Sequence, residues 1–323
     1  METLSKRGNT QMDGSVVSRQ FTFPSADGRT QIHAESWTPA SGEYKGILQI
    51  VHGMVEYIGR YADFAQYMAS EGWKVVGHDH LGHGESVVSY DEWGYFGEEP
   101  SKLLVEDMHT LRTMTQEEGK PYYILGHSMR SYLLRKYLIG HGQGLSGAIV
   151  MGTGFVPEAT TKLGITLAHL EAKLHGWHHR SNGLQALSYS KPYREYDLSG
   201  RDSSRSWLTR DRAIVESYNG DAKCTFLFTD NGYLGLFEAV RDSCSAEGIG
   251  AIPKDLPVLL ISGDRDPVGD MGEGVRKVYA LYQKAGIRDV TLKLYEGARH
   301  EVLNEINRAV VYSDIRAWME ARA

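Results

Sequence analysis

Ser128 stands in the run Leu125-Gly126-His127-Ser128-Met129-Arg130-Ser131, directly after an apolar stretch and directly before a helical pattern. A serine on a sharp strand-to-helix turn projects its hydroxyl above a sheet edge, and the helix start behind it favours developing negative charge. The hydroxyl becomes a nucleophile only if a base takes its proton and an acid orients that base. Two later loops carry those residue types. Ile261-Ser262-Gly263-Asp264-Arg265-Asp266-Pro267-Val268-Gly269-Asp270 offers Asp264, Asp266 and Asp270, and Gly297-Ala298-Arg299-His300-Glu301 offers His300. An earlier turn, His52-Gly53-Met54, can aim the backbone N–H of Met54 at an oxyanion, with the N–H of Met129 as second donor. The chemistry implied is attack on an acyl carbonyl through a covalent acyl intermediate.

These loops need strands to hold them. Val16–Phe23 and Ile32–Trp37 read as a hairpin closed by Ser25-Ala26-Asp27-Gly28-Arg29. Gly46–Val51, Lys74–Asp79, Tyr122–His127, Gly147–Gly152, Pro257–Ser262 and Val290–Tyr295 are short apolar runs of the kind buried in a parallel sheet. Helical periods fall between them at Tyr61–Ser70, Leu103–Met114, Met129–Leu138, Glu273–Ala285 and Leu303–Met319. Strand alternating with helix predicts an α/β fold with a mostly parallel, doubly wound sheet of eight strands. Ligands bind such sheets at the carboxyl ends of the strands, where all four loops fall.

The alternation stops between Phe155 and Pro253, where helical and polar loop patterns replace buried strands. The expected organisation is a core over 1–154, an inserted, mainly helical cap over 155–253, and the rest of the core over 254–323. Within the cap, a helix over Thr161–Leu174 puts Leu163, Leu167, Leu170 and Leu174 on one face. Packing onto the core is the expected use of that face, with an acyl pocket or a lipid surface as the alternative. Lys162 and Lys173 are too few for firm attachment to anionic lipid.

Composition narrows the classes further. Of 323 residues, 35 are Lys or Arg and 41 Asp or Glu, a net charge of −6 that argues against a nucleic-acid binder. Two cysteines, Cys224 and Cys244, provide no disulfide framework. The polar first fifteen residues lack the apolar core of a signal peptide, and no apolar run is long enough to span a bilayer. A soluble, cytoplasmic protein without stable membrane insertion is expected, touching lipid at most transiently through the cap. Neither a Walker loop nor a dinucleotide fingerprint occurs, so no cofactor is expected. The cluster His78-Asp79-His80-Leu81-Gly82-His83 does not match metal-ligand spacings and reads as a structural turn; His175, His178 and His179 read as solvent-facing or lid-packing. No metal is expected.

Taken together, His52-Gly53-Met54-Val55-Glu56-Tyr57-Ile58-Gly59-Arg60-Tyr61, His78-Asp79-His80-Leu81-Gly82-His83-Gly84-Glu85-Ser86, Gly126-His127-Ser128-Met129-Arg130-Ser131, the Asp264–Asp270 loop and the His300 loop resemble the α/β-hydrolase superfamily. The likeness is to its monoacylglycerol lipase and lysophospholipase-like branch, and it covers the chain from about Ile47 onward. In the cap, Trp207–Asp211 and Tyr218–Thr229 share it. The resemblance implies Ser128 as nucleophile, His300 as base and Asp266 as the acid ahead of Asp264. It implies an acyl-ester substrate such as a monoacylglycerol or lysophospholipid, with amide, thioester or carbon–carbon bond hydrolysis as alternatives.

One residue departs from the pattern. The second glycine of the G-x-S-x-G elbow is Arg130 here. Either Arg130 turns outward and the elbow survives, or the turn is distorted and activity suffers, leaving a binding protein.

Overall fold

The computed structural model describes residues 10–12, 14–188, 196 and 205–323. One sheet organises them. Its strands are β1 (Thr10–Met12), β2 (Val16–Pro24), β3 (Gln31–Pro39), β4 (Ile47–Val51), β5 (Lys74–His78), β6 (Tyr122–His127), β7 (Gly147–Met151), β8 (Val258–Gly263) and β9 (Val290–Tyr295). Their spatial order is β1-β2-β3-β5-β4-β6-β7-β8-β9. β1, β2, β3 and β5 pair antiparallel, and every pair from β5 onward is parallel. All eight expected strands are present. The ninth, β1, is an edge strand of three residues, too short to leave a period-2 signature in the sequence.

The parallel strands are buried on both faces, and alternate residues enter opposite layers. In β6, Tyr122 and Ile124 join one apolar cluster while Tyr123 and Leu125 join the other. The first layer contains α2 (Pro100–Thr115), α3 (Met129–His141) and α9 (Glu273–Lys284); the second contains α1 (Ala62–Ser70) and α10 (Arg308–Glu320). The last helix begins at Arg308, later than the expected Leu303, because Val302–Asn304 forms a separate 3-10 turn whose apolar residues are buried.

Between β7 and β8 the chain forms α4 (Glu158–His175), α5 (Asn182–Ser188), α6 (Arg212–Gly220), α7 (Asp230–Cys244) and α8 (Ala246–Ala251). α7 packs on α2, α3 and α4. The leucine stripe of α4 does not take the role expected of it. Leu163, Leu170 and Leu174 are exposed, while Thr161, Gly164, Ala168 and Ala172 are buried and Leu167 is half-buried. The reason is steric. A Cβ on Gly164 would lie 2.9 Å from the Phe237 ring of α7, so the small-residue face lets the two helices approach and turns the leucines outward. Cys224 and Cys244 are both free thiols. Among the described residues no helix is long and apolar enough to cross a membrane.

Candidate active site

Ser128 joins β6 to α3 with φ 56° and ψ −127°, a left-handed conformation that costs a non-glycine residue about 1–3 kcal/mol. The surroundings hold it there. Its N–H donates to the Met151 carbonyl at 3.0 Å, and its carbonyl accepts from the N–H and hydroxyl of Ser131. The turn also needs Gly126, where a Cβ would sit 2.7 Å from the Arg130 carbonyl and 2.8 Å from Leu134 Cβ.

Arg130 neither turns outward nor distorts the elbow. Its side chain is fully buried beneath the site, with the guanidinium 5.3 Å from the centre of the Phe96 ring. Its Nη2 lies 3.4 Å from His83 Nδ1, and its Nε and Nη1 have no hydrogen-bond partner among the described residues. Burial pulls the guanidinium pKa down to about 9.

The three aspartates of the β8 loop separate by geometry. Asp266 is buried; its Oδ1 accepts from His300 Nδ1 at 2.9 Å and from the Val268 N–H at 2.9 Å, and its Oδ2 accepts from Ser262 Oγ at 2.8 Å. Burial alone would raise its pKa, but His300 and these donors hold it below the usual carboxylate value. Asp264 accepts the Gly297 N–H at 2.8 Å and so ties the ends of β8 and β9 together. Asp270 is exposed.

His300 is likewise buried, with its ring 4.6 Å from that of His127 and 5.1 Å from that of Trp207. A Cβ on Gly152 would sit 3.0 Å from His300 Cε1, so the end of β7 backs the imidazole. With Nδ1 donating to Asp266, Nε2 is the basic nitrogen, and it has no hydrogen-bond partner among the described residues. Burial works against the imidazolium, yet the charge and hydrogen bond of Asp266 outweigh it, and the pKa lies above the ordinary 6.5.

Met54 completes the ring of loops. Its turn passes close enough that a Cβ on Gly53 would lie 3.1 Å from Ser128 Cβ. His52 fixes the turn by accepting the His80 N–H at 2.9 Å on Nε2, with Nδ1 2.9 Å from the Gly53 carbonyl. The Asp79 carboxylate accepts the N–H groups of Ile58 and Glu85, giving the His78–His83 segment the structural role expected of it. Ser128, His300, Met54 and Met129 all line one cavity of about 760 Å³, walled further by Tyr132, Phe155, Leu208 and Phe237. That size suits a ligand with an extended apolar part.

Sequence reading passed over a buried set beside the site. Glu56 receives the Gly53 N–H and the Tyr61 hydroxyl, and Arg60 pairs with both Glu56 and Glu301. The available signal was the i, i+4 spacing of Glu56 and Arg60 and the adjacency of Glu301 to His300.

A family model described as serine aminopeptidase, S33 (Hydrolase_4) matches residues 42–307. Human monoglyceride lipase is 28% identical over 92% of this chain and 89% of its own length. The monoacylglycerol lipase of Mycolicibacterium smegmatis is 25% identical over 90% and 94%. A thermostable carboxyl esterase from Bacillus coagulans, solved with glycerol, superposes with a TM-score of 0.85 at 30% identity, covering 94% of this chain and 98% of that one. The chain thus belongs to the serine aminopeptidase S33 family of α/β-hydrolases and is a monoglyceride-lipase-like member of it.

Proposed function

We propose that this protein is a carboxylic-ester hydrolase acting on monoacylglycerols, lysophospholipids or similar acyl esters through Ser128, His300 and Asp266. His300 Nε2 takes the Ser128 proton as Oγ attacks the ester carbonyl. The N–H groups of Met54 and Met129 receive the oxyanion, and Asp266 steadies the imidazolium. His300 then returns the proton to the leaving alcohol. Water, deprotonated by the same nitrogen, attacks the acyl-Ser128 ester and releases the acid. The observation that carries this reading is the 2.9 Å bond from His300 Nδ1 to buried Asp266, which leaves Nε2 unpartnered in a histidine that lines the same cavity as Ser128.

In this reading the insertion over 155–253 acts as the cap. α5 and α7 contribute Leu187, Leu236 and Val240 to the apolar wall for the acyl chain. The exposed Leu163, Leu170 and Leu174 of α4 touch lipid transiently when substrate is drawn from a surface.

The test is hydrolysis of p-nitrophenyl esters from acetyl to palmitoyl, with S128A as control and an aminoacyl p-nitroanilide as the amide counterpart. Ester turnover that disappears in S128A supports the reading, and the chain-length optimum sizes the cavity. Turnover of the anilide alone would replace it with a peptidase reading. Equal rates for the wild type and S128A on every substrate would overturn it.

A further inference from the structure

The end of α4, the loop after it and the start of α7 bring three potential metal ligands together, with His175 beside them, well away from the Ser128 turn in the chain. Glu171 and His175 lie one helical turn apart on α4, His179 follows in the loop, and Asp230 is the first residue of α7. His179 Nδ1 is 3.0 Å from Asp230 Oδ2 and 3.9 Å from Glu171 Oε2, and His175 Nε2 is 3.9 Å from the same Glu171 oxygen. One ligand atom from each of Glu171, His179 and Asp230 lies within 4.8 Å of the other two. The rings of His175 and His179 are 4.5 Å apart.

Hydrogen bonding alone does not account for this convergence. An imidazole nitrogen donates one proton, and His179 Nδ1 already faces Asp230; the 3.9 Å separations to Glu171 are too long for hydrogen bonds. Two carboxylates thus meet at one point with a single short contact between them and a histidine. The Asp230 side chain is fully buried; the Ser181 backbone N–H approaches its carboxylate, yet Oδ1 completes no hydrogen bond of normal length and angle among the described residues. The backbone is preset as well, with the Asp230 N–H donating to the His179 carbonyl at 2.7 Å and the Asn231 N–H to that of Trp177 at 3.3 Å.

We infer that Glu171, His179 and Asp230 form a binding site for a divalent transition-metal ion of the zinc class, with water completing the coordination. Zinc binds imidazole nitrogen and carboxylate oxygen at about 2.0–2.2 Å, so neighbouring donors about 3–3.6 Å apart suit it. The His179–Asp230 pair already has that spacing, and Glu171, a partly exposed side chain, lies 3.9 Å from His179 Nδ1. Imidazole donors select such an ion over calcium or magnesium. The metal would clamp α4 to α7, two helices that supply Thr161 and Phe237 to the cavity wall. It would thereby fix one side of the substrate cavity.

His178 supplies an internal control. It sits beside His179 in sequence but stacks on Tyr95, with ring centres 4.1 Å apart, and lies outside the ligand group. The untagged full-length chain, stripped with EDTA and dialysed, is titrated with Zn²⁺ by calorimetry and with Co²⁺ by visible absorption. One ion per chain is expected, with a higher melting temperature. H179A and E171Q should each weaken binding at least about tenfold, and H178A should leave it unchanged. H179A and E171Q keep the test decisive without altering buried Asp230, because among the described residues Glu171 makes no contact shorter than 3.9 Å to another charged group. The absence of saturable binding overturns the site. So does Zn²⁺ affinity that survives both H179A and E171Q, since the ion then sits elsewhere. Neither result depends on esterase activity.

Discussion

Arg60 donates two parallel hydrogen bonds of 2.7 Å to Glu301, the residue that follows His300 in the chain. The same guanidinium pairs with Glu56, whose Oε1 receives the Gly53 N–H of the turn that carries Met54. One nearly buried cation therefore joins the turn proposed to hold the oxyanion to the loop that carries the proposed base. Removing it leaves two buried carboxylates without their cation, which destabilises by about 3–5 kcal/mol. R60M should lower the unfolding free energy by that amount. R60K retains the charge but loses the two-pronged geometry. It should fold, lower kcat several-fold and change KM little, because it acts on how the loops are set and not on the cavity wall. Denaturant unfolding with ester kinetics checks both variants, and an R60K indistinguishable from wild type in kcat would remove the positioning role.

Replacing Asp266 and Asp264 in turn separates their roles. D266N removes the acceptor that fixes the His300 tautomer, an effect that costs about 10⁴-fold in kcat in the serine-protease example of the same arrangement. A loss of similar order is expected here. Among the described residues the Asp264 side chain accepts only the Gly297 N–H, so D264N should keep turnover within a few-fold while slightly lowering the melting temperature. Steady-state ester hydrolysis by the two variants gives the answer, and the opposite ranking would move the acid to Asp264.

Much of this was legible in the sequence because each chemically capable residue stands at the end of a strand, and buried parallel strands leave continuous apolar runs. Ser128, Asp266 and His300 come from three such loops. What was not legible depends on packing between distant segments. Arg60 and Glu301 are 241 positions apart, and nothing local marks them as partners. The burial of Arg130 depends on Phe96 and His83 lying against α3. The outward turn of the α4 leucines depends on Phe237 meeting Gly164; helical periodicity identifies an apolar face but not whether a smaller face packs better.

In the proposed reaction, where His300 is the base, its titration sets the pH dependence. Its pKa is raised, so the basic nitrogen becomes available only above the ordinary 6.5. The acid limb of kcat/KM should therefore have its midpoint above 6.5. In D266N the charge that raises the value is gone, and burial should move the residual activity's midpoint downward. A pH profile of each enzyme with one ester suffices. A wild-type midpoint well below 6.5 would mean that another group controls the limb.

Stability should fall with acid for a different reason. His52, His78, His80 and His83 are buried, and burial, with the nearby Arg130 charge, depresses all four pKa values, that of His52 to about 3. In the unfolded chain they take up protons near 6.5, whereas in the folded chain they stay neutral. Below that pH the unfolded state binds more protons, so acid favours unfolding, by up to about 1.4 kcal/mol per pH unit for each histidine. Urea unfolding at pH 7.5, 6 and 5 should show a steep loss that begins near pH 6.5. A flat profile across that range would show that these histidines are charged or solvated in the folded protein.

The guanidinium of Arg130 is an unfavourable charge in the core. It is fully buried, only Nη2 reaches a partner, and no carboxylate lies within ion-pair distance among the described residues. A cation taken out of water without a counter-charge costs several kcal/mol. R130M fills similar volume without that cost and should raise the unfolding free energy by about 1–4 kcal/mol. Because the Ser128 conformation rests on Gly126, Met151 and Ser131, its turnover should stay within a few-fold of wild type. R130G restores the elbow glycine but leaves a cavity, so it should gain less stability than R130M. Urea unfolding of the three proteins at pH 7.5 decides the matter. An R130M that unfolds more easily than wild type would show that Arg130 contributes favourably to the fold through an interaction beyond its contacts with Phe96 and His83.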